Sequence, residues 1–169
     1  MSYEHVIAAV EPNDEAAVVV RRARALAGRN PISLVSAVPV PVHHYGPAWT
    51  MDATGIGVAM MERAREHANE YLHALAKDEG VPADRVHIRS GHAASVLHEV
   101  AAEIEADCIV LGCHGQHGLS LFFGSTANQL VHGLECDAYF VRVGDGSGER
   151  SGQILCAVDG NDEDSDRVT

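Results

Sequence analysis

The stretch DCIVLGCHGQHGLSLFFGST (Asp107–Thr126) joins a short apolar run to a glycine-rich segment. The run DCIVLG has the length and aliphatic content of a buried β-strand. Four glycines follow from Gly112 onward, and the triplet Gly124-Ser125-Thr126 stands at the start of a helix predicted over 125–132. A strand that ends in glycines ahead of a helix is typical of a βα unit in a parallel sheet.

Outward from this stretch, short apolar runs alternate with amphipathic segments along most of the chain. Helical periodicity predicts helices over 15–29, 56–76, 95–106 and 125–132, the first of them capped by Asn13 or Asp14. Strands are predicted over 5–10, 32–38, 86–89, 107–112 and 138–143. This alternation predicts the α/β class, with a doubly wound parallel sheet, right-handed crossovers and helices on both faces.

Composition limits the partners of the protein. The formal net charge is −12 over 169 residues, which argues against nucleic acid or an anionic membrane as the main partner. No apolar run approaches the roughly 18 residues of a membrane span, and the first residues do not resemble a signal peptide. The four cysteines lack the spacing of a disulfide framework, so we expect a cytoplasmic protein with reduced thiols.

The tail repeats the beginning of the chain. Residues 144–152, GDGSGERSG, have the composition of a linker. The segment Ile154–Ser165 then matches Val6–Ala17 at several offsets, which predicts two units: a domain over 1–143 and a tail over 144–169 that repeats the start of a second one. A strand over 153–158 is either disordered, added to a sheet edge, placed on a partner subunit, or the remnant of a lost domain. Chance similarity is the remaining alternative.

Three interpretations of Gly112–Thr126 remain open from the residues alone. Glycines ahead of a helix N-terminus can cradle phosphate through backbone N–H groups, although no Lys or Arg occurs from Gly112 to Val141. Cys113, His114 and His117 could hold a metal, but no second ligand pair has zinc spacing. Alternatively, Ser125 and Thr126 simply cap a helix. A P-loop lysine is absent, and Lys77 is the only lysine.

Three motifs resemble those of the A-type universal stress proteins: SYEHVIAAV (2–10), SGHAASVLHEVAAEIEADCIVLGCHG (90–115) and GSTANQLVHGLECDAYFVRV (124–143). The resemblance implies a five-stranded parallel sheet in the order 3-2-1-4-5, a stress-response role and a homodimer. It also implies an ATP site, possibly with Mg²⁺, at the switch point between strands 1 and 4. The positions that would form this site are Glu11, Ala37, Leu111, Gly112, Gly115, Gly124, Ser125 and Thr126.

The chain departs from the family pattern at two places. The segment between Gly115 and Gly124 is one residue shorter than in nucleotide-binding members, and Glu11 stands where Asp is usual. A nucleotide-free regulatory or protein-interaction dimer is therefore the alternative hypothesis, with the apolar fifth strand as the pairing edge. No catalytic constellation stands out in the sequence, so we expect a binding protein and not an enzyme.

Overall fold

The computed structural model describes residues 3–40, 56–114, 129–130, 132–143 and 154–156. Within these residues the chain forms a sheet of six strands, in the order β3-β2-β1-β4-β5-β6. The first five strands are mutually parallel, and the order 3-2-1-4-5 is the one that the resemblance implied. The predicted α/β fold class is confirmed.

The strands alternate with helices up to β4. The strands are β1 (Val6–Ala9), β2 (Ile32–Val38), β3 (Val86–Ser90), β4 (Cys108–His114), β5 (Asp137–Val143) and β6 (Ile154–Cys156). The helices are α1 (Ala16–Ala27), α2 (Ile56–Asp78) and α3 (Ala93–Glu103), with a short 3-10 turn at Ala83–Arg85. Residues 129–130 are also helical, whereas most of the helix predicted over 125–132 lies outside the described residues.

Two apolar clusters cover the two faces of the sheet, because successive side chains of a strand point to opposite sides. On one face, Val6, Leu34 and Val110 pack with residues of α1 and α2 such as Val20 and Leu72. On the other face, strand residues pack with α3 and with the segment before β5; this cluster includes Ile7, Val35, Val100, Ile109 and Leu130. The sheet is thus buried on both sides, as its near-continuous apolar strands predicted.

Several predicted boundaries are wrong by a few residues. Strand β1 is shorter than the predicted 5–10, and β4 continues beyond Gly112 to His114 because it pairs with β5 along its whole length. Helix α3 begins at Ala93, with His92 at its N-cap position. Helix α1 has Glu15 at that position, while the side chain of Asn13 accepts a hydrogen bond from the Glu15 N–H (3.0 Å). Strand pairing and capping contacts decide where each strand and helix begins and ends, and local periodicity does not predict these residues.

The tail contributes the strand β6 to the edge of the sheet. It runs antiparallel to β5, with Ala138 opposite Cys156 and Phe140 opposite Ile154. An added edge strand was one of the arrangements left open by the sequence. All other neighbouring strands of the sheet are parallel, so β6 lies outside the βα alternation that builds the rest of the fold.

Candidate functional site

A notch opens in the carboxyl edge of the sheet, at the end of β1. The last residue of β1, Ala9, is level with Val35 in β2 and with Leu111 in β4. Both neighbouring strands continue past this level, to Val38 and to His114. Strand order reverses here, since β1 leads to β2 on one side and pairs with β4 on the other. In open parallel sheets such a switch point is where ligands bind.

Four of the predicted site residues border this notch. Glu11 lies two residues beyond the end of β1 and is exposed. Ala37 in β2 and Leu111 in β4 stand on the two flanks, and both pack against the α3 face of the sheet. Gly112 follows Leu111 and is exposed although it lies within β4. The structure therefore brings together one carboxylate, two apolar side chains and one exposed glycine.

The other four predicted site residues, Gly115, Gly124, Ser125 and Thr126, lie outside the described residues. The described residue Gly112 is paired in register with Val141 of β5. A carboxylate at Glu11 is the oxygen ligand type that Mg²⁺ prefers, and an exposed glycine lets a ligand approach the backbone closely. These two features fit the nucleotide and metal that the resemblance implies.

A contact from α2 holds the loop that carries Glu11. The hydroxyl of Tyr71 donates a hydrogen bond to the carbonyl oxygen of Asn13 (2.5 Å). The carbonyl of Glu11 itself accepts from the Asn13 N–H (2.8 Å). Burial, with a smaller contribution from Asp14, raises the pKa of Tyr71, which therefore keeps its donor proton. The β1–α1 loop is thus held to α2 at Asn13, and Tyr71 is a contributor that sequence reasoning missed.

A polar cluster occupies the opposite, amino-terminal edge of the sheet. Nδ1 of His5 lies 3.1 Å from the carbonyl oxygen of Ile104, and Nε2 lies 2.9 Å from the hydroxyl of Ser33 and 3.4 Å from Nη1 of Arg85. The carbonyl requires a donor, so the proton belongs on Nδ1 and Nε2 accepts. Burial, opposed by the Ile104 bond and reinforced by Arg85, lowers the pKa of His5.

Two carboxylates complete this edge. Asp107 accepts hydrogen bonds from the backbone N–H groups of Glu4 (2.6 Å) and His5 (3.0 Å). Asp137 accepts from the hydroxyl of Tyr3 (2.8 Å). His5 and Asp107 each directly precede a strand, and these strands are neighbours, so the sequence contains a signal for this contact once the strand order is known. The cluster supplies hydrogen-bond partners for backbone groups beside the strands. Ser33 is only 1% exposed, so its hydroxyl is not an accessible nucleophile.

Cys108 and Cys136 are also poor nucleophiles. Burial is the main cause that raises the pKa of Cys108 to about 12 and that of Cys136 to about 11, with nearby carboxylates acting in the same direction. Both are free thiols. At neutral pH they remain protonated, whereas the thiolate is the reactive form. They serve as small apolar residues, Cys108 on the α1/α2 face and Cys136 against the α3 face.

Over the described ranges, no group of three or more His, Cys, Asp or Glu side chains is placed to hold a metal ion. The predicted metal candidates Cys113, His114 and His117 have no described side chains.

An open groove of about 620 Å³ runs along β3, between Arg65 of α2 and Glu99 of α3. It lies two strands away from the notch, and Arg89 on its wall is paired with Glu103 (2.5 Å). Among the residues that the structure describes, no helix has the length and hydropathy of a membrane span.

Comparisons with known proteins agree with this geometry. The sequence profile of the universal stress protein family matches residues 2–142. Universal stress protein A homolog 1 of Coxiella burnetii is 32% identical over 144 residues, which are 83% of this chain and 97% of that protein. The solved structure of universal stress protein UspA from Lactobacillus plantarum superposes with a TM-score of 0.60 at 18% identity, over 84% of this chain and 99% of that one.

One solved neighbour contains a nucleotide. It is described as a universal stress protein in complex with cAMP, and it superposes with a TM-score of 0.50 at 23% identity, over 83% of this chain and 98% of that one. The fold and its notch define a doubly wound parallel α/β protein with a crevice at the strand 1/strand 4 switch point. Within that class, the profile match and the Coxiella relative establish that this chain belongs to the universal stress protein family.

Proposed function

We propose that this protein is a stress-response regulator of the cytoplasm that binds an adenine nucleotide, ATP, in the notch at the carboxyl ends of β1 and β4. The observation that carries the proposal is the notch itself: β1 ends three residues before each of its neighbours, at the point where strand order reverses. Parallel sheets bind nucleotides at such points because strand ends expose backbone groups there.

Each bordering residue has a part in this proposal. The adenine lies near Ala37, whose small apolar side chain leaves room on the β2 flank. Glu11 faces the ribose hydroxyls or a bound Mg²⁺. The phosphates follow the backbone from Gly112 into residues 115–126, where glycines and two hydroxyls offer donors without side-chain charge. Leu111 supports the base of the notch from the α3 face.

The neighbour in complex with cAMP supports a nucleotide of adenosine type, because its fold is similar and cAMP shares the adenine and ribose with ATP. The net charge of −12 opposes an anionic ligand and makes accompanying Mg²⁺ important.

The second candidate is a regulatory dimer without nucleotide. The observation that favours it is the shortened Gly115–Gly124 segment together with the absence of Lys and Arg from Gly112 to Val141. In both candidates we propose that two copies associate through β5, whose apolar edge suits antiparallel pairing with its own copy.

One experiment separates the two candidates. The purified full-length protein is denatured, released small molecules are identified by mass spectrometry, and Mg-ATP and cAMP are titrated by calorimetry. ATP recovered at about one molecule per chain, or binding heat with Mg-ATP, supports the first candidate. An empty protein with no heat at millimolar nucleotide supports the second.

A glycine pair provides the matched control. Gly112→Val adds a branched side chain to the exposed backbone beside the notch, and we expect it to abolish nucleotide binding. Gly57→Ala adds a side chain in α2, where a Cβ atom would meet nothing within 4 Å, and should leave binding unchanged. Unchanged binding by a folded Gly112→Val variant would place the nucleotide elsewhere.

A further inference from the structure

The edge strand β6 covers the surface through which we propose that two copies associate. It pairs with three residues of β5, Ala138–Phe140, on the side away from β4. Strand β5 itself spans Asp137–Val143. Among the described residues, positions 141–143 of β5 have no strand partner on that outer side. The tail therefore occupies part of an edge that a longer strand could occupy in full.

The chemistry of β5 makes this edge attractive to a second strand. Its side chains Ala138, Tyr139, Phe140 and Val141 are all buried in the two faces of the sheet. The strand is therefore anchored in both faces of the sheet, and its outer edge is paired with β6 at Ala138–Phe140. Such edges pair with other strands unless they are covered.

We infer that the outer edge of β5 is a strand-docking surface for which β6 and the β5 strand of a second copy compete, so that β6 docked in its own chain disfavours the dimer. This inference rests on the proposed association through β5. It concerns the control of that association, and it is independent of whether a nucleotide binds.

The two competitors differ in length and in tethering. Strands β5 and β6 belong to one chain, so the docking of β6 is intramolecular, with an effective concentration on the order of millimolar for a short connection. A second copy is present only at the concentration of the protein. However, β6 contributes three paired positions, while a strand as long as β5 can form more backbone hydrogen bonds. A short tethered strand and a longer free one can thus be close in free energy.

Two proline variants of the full-length chain test the competition. Successive N–H groups of a strand point to opposite sides, so only one of Ile154→Pro and Leu155→Pro removes a donor that faces β5. The other variant is the matched control. The dissociation constant of self-association is measured for the wild type and both variants by sedimentation equilibrium. Thermal melts verify that each variant keeps the fold.

We expect the variant that loses the inward donor to form the dimer with a roughly tenfold lower dissociation constant, because an edge freed in both copies strengthens association twice. In dilute samples of the same variant, amide hydrogen exchange at Ala138–Phe140 should be faster than in the wild type. The outward variant should resemble the wild type in both measurements.

Three results would overturn the inference. Equal dimerisation of all three proteins would show that β5 pairs with its copy while β6 does not compete, which leaves the proposed dimer intact. Weaker dimerisation of the inward variant would mean that β6 holds the dimer together. Three proteins that all stay monomeric at every concentration would contradict the proposed dimer itself, and the competition with it.

Discussion

Nε2 of His5 lies 2.9 Å from the hydroxyl oxygen of Ser33, and this hydrogen bond joins the residue before β1 to the second residue of β2. The same imidazole faces Arg85 at 3.4 Å and the carbonyl of Ile104 at 3.1 Å. A protonated ring would lose its acceptor towards Ser33 and would meet the guanidinium with like charge. The neutral ring is thus the form that stabilises this edge of the sheet.

This contact predicts a pH dependence of stability. The pKa of His5 is lowered by burial from its usual 6.5, and that of His87 is lowered mainly by burial too. The unfolded chain therefore binds more protons than the folded one below about pH 6.5. We expect the free energy of unfolding, measured by urea titration, to fall as the pH is lowered from 7.5 towards 5.5.

Two variants separate His5 from the other histidines. His5→Gln should reduce the pH slope of the unfolding free energy. His73→Gln, at an exposed position on α2, should leave that slope as in the wild type. An unchanged slope in His5→Gln would show that His5 does not contribute to this pH dependence.

Truncating a side chain in the centre of the sheet should strongly reduce the free energy of unfolding. Ile109 is fully buried in β4, on the α3 face. Ile109→Ala removes three buried carbon atoms and leaves a cavity, at a cost of about 2–5 kcal/mol in unfolding free energy. Val58→Ala, at a side chain that is 53% exposed, should change it by less than about 0.5 kcal/mol. Similar urea midpoints for the two variants would contradict this packing.

A pair of tyrosines tests whether the β1–α1 loop matters for the proposed ligand. Tyr71→Phe removes the donor to the Asn13 carbonyl beside the notch, and Tyr3→Phe removes the donor to Asp137 at the opposite edge. Each change should lower stability by about 0.5–1.5 kcal/mol. Only Tyr71→Phe should also weaken Mg-ATP binding in calorimetry. Equal effects of both changes on affinity would argue against a nucleotide beside this loop.

Glu11 and Asp14 offer a second matched pair, since both are exposed acidic residues of the same loop region. Glu11→Ala should lower the affinity for Mg-ATP roughly tenfold, because it removes an oxygen that accepts from the ribose or binds the metal. Asp14→Ala removes the same charge and should leave the affinity unchanged or slightly higher. If both variants bind more tightly to the same extent, Glu11 acts through its charge alone and does not contact the ligand.

Much of the fold was accessible from the sequence because its signals are local. Apolar runs such as Ile32–Val38 and helical periodicity such as that of α3 predicted the elements, and their alternation predicted a parallel sheet. The ends of strands and helices were harder to predict from the sequence. Strand β4 continues to His114 because β5 pairs with it there, and no property of residues 112–114 alone contains that information.

The candidate site could be predicted from the sequence only in part. Glu11 and Gly112 could be proposed because they follow apolar strands and because the family resemblance points to those positions. Tyr71 could not, since it lies in α2, far along the chain from the loop that it holds. The pairing of His5 with Ser33 likewise depends on β1 and β2 lying side by side.

The sequence by itself determined the α/β class, the order of the elements along the chain and the apolar faces that cover the sheet, because hydrophobic periodicity acts through near neighbours. Only the tertiary structure decided how far each strand extends past the next, and so created the notch between Ala37 and Gly112. It also decided that β6 lies antiparallel on β5. Both outcomes depend on backbone hydrogen bonds between strands, which form only when separate segments of the chain come together in the folded protein.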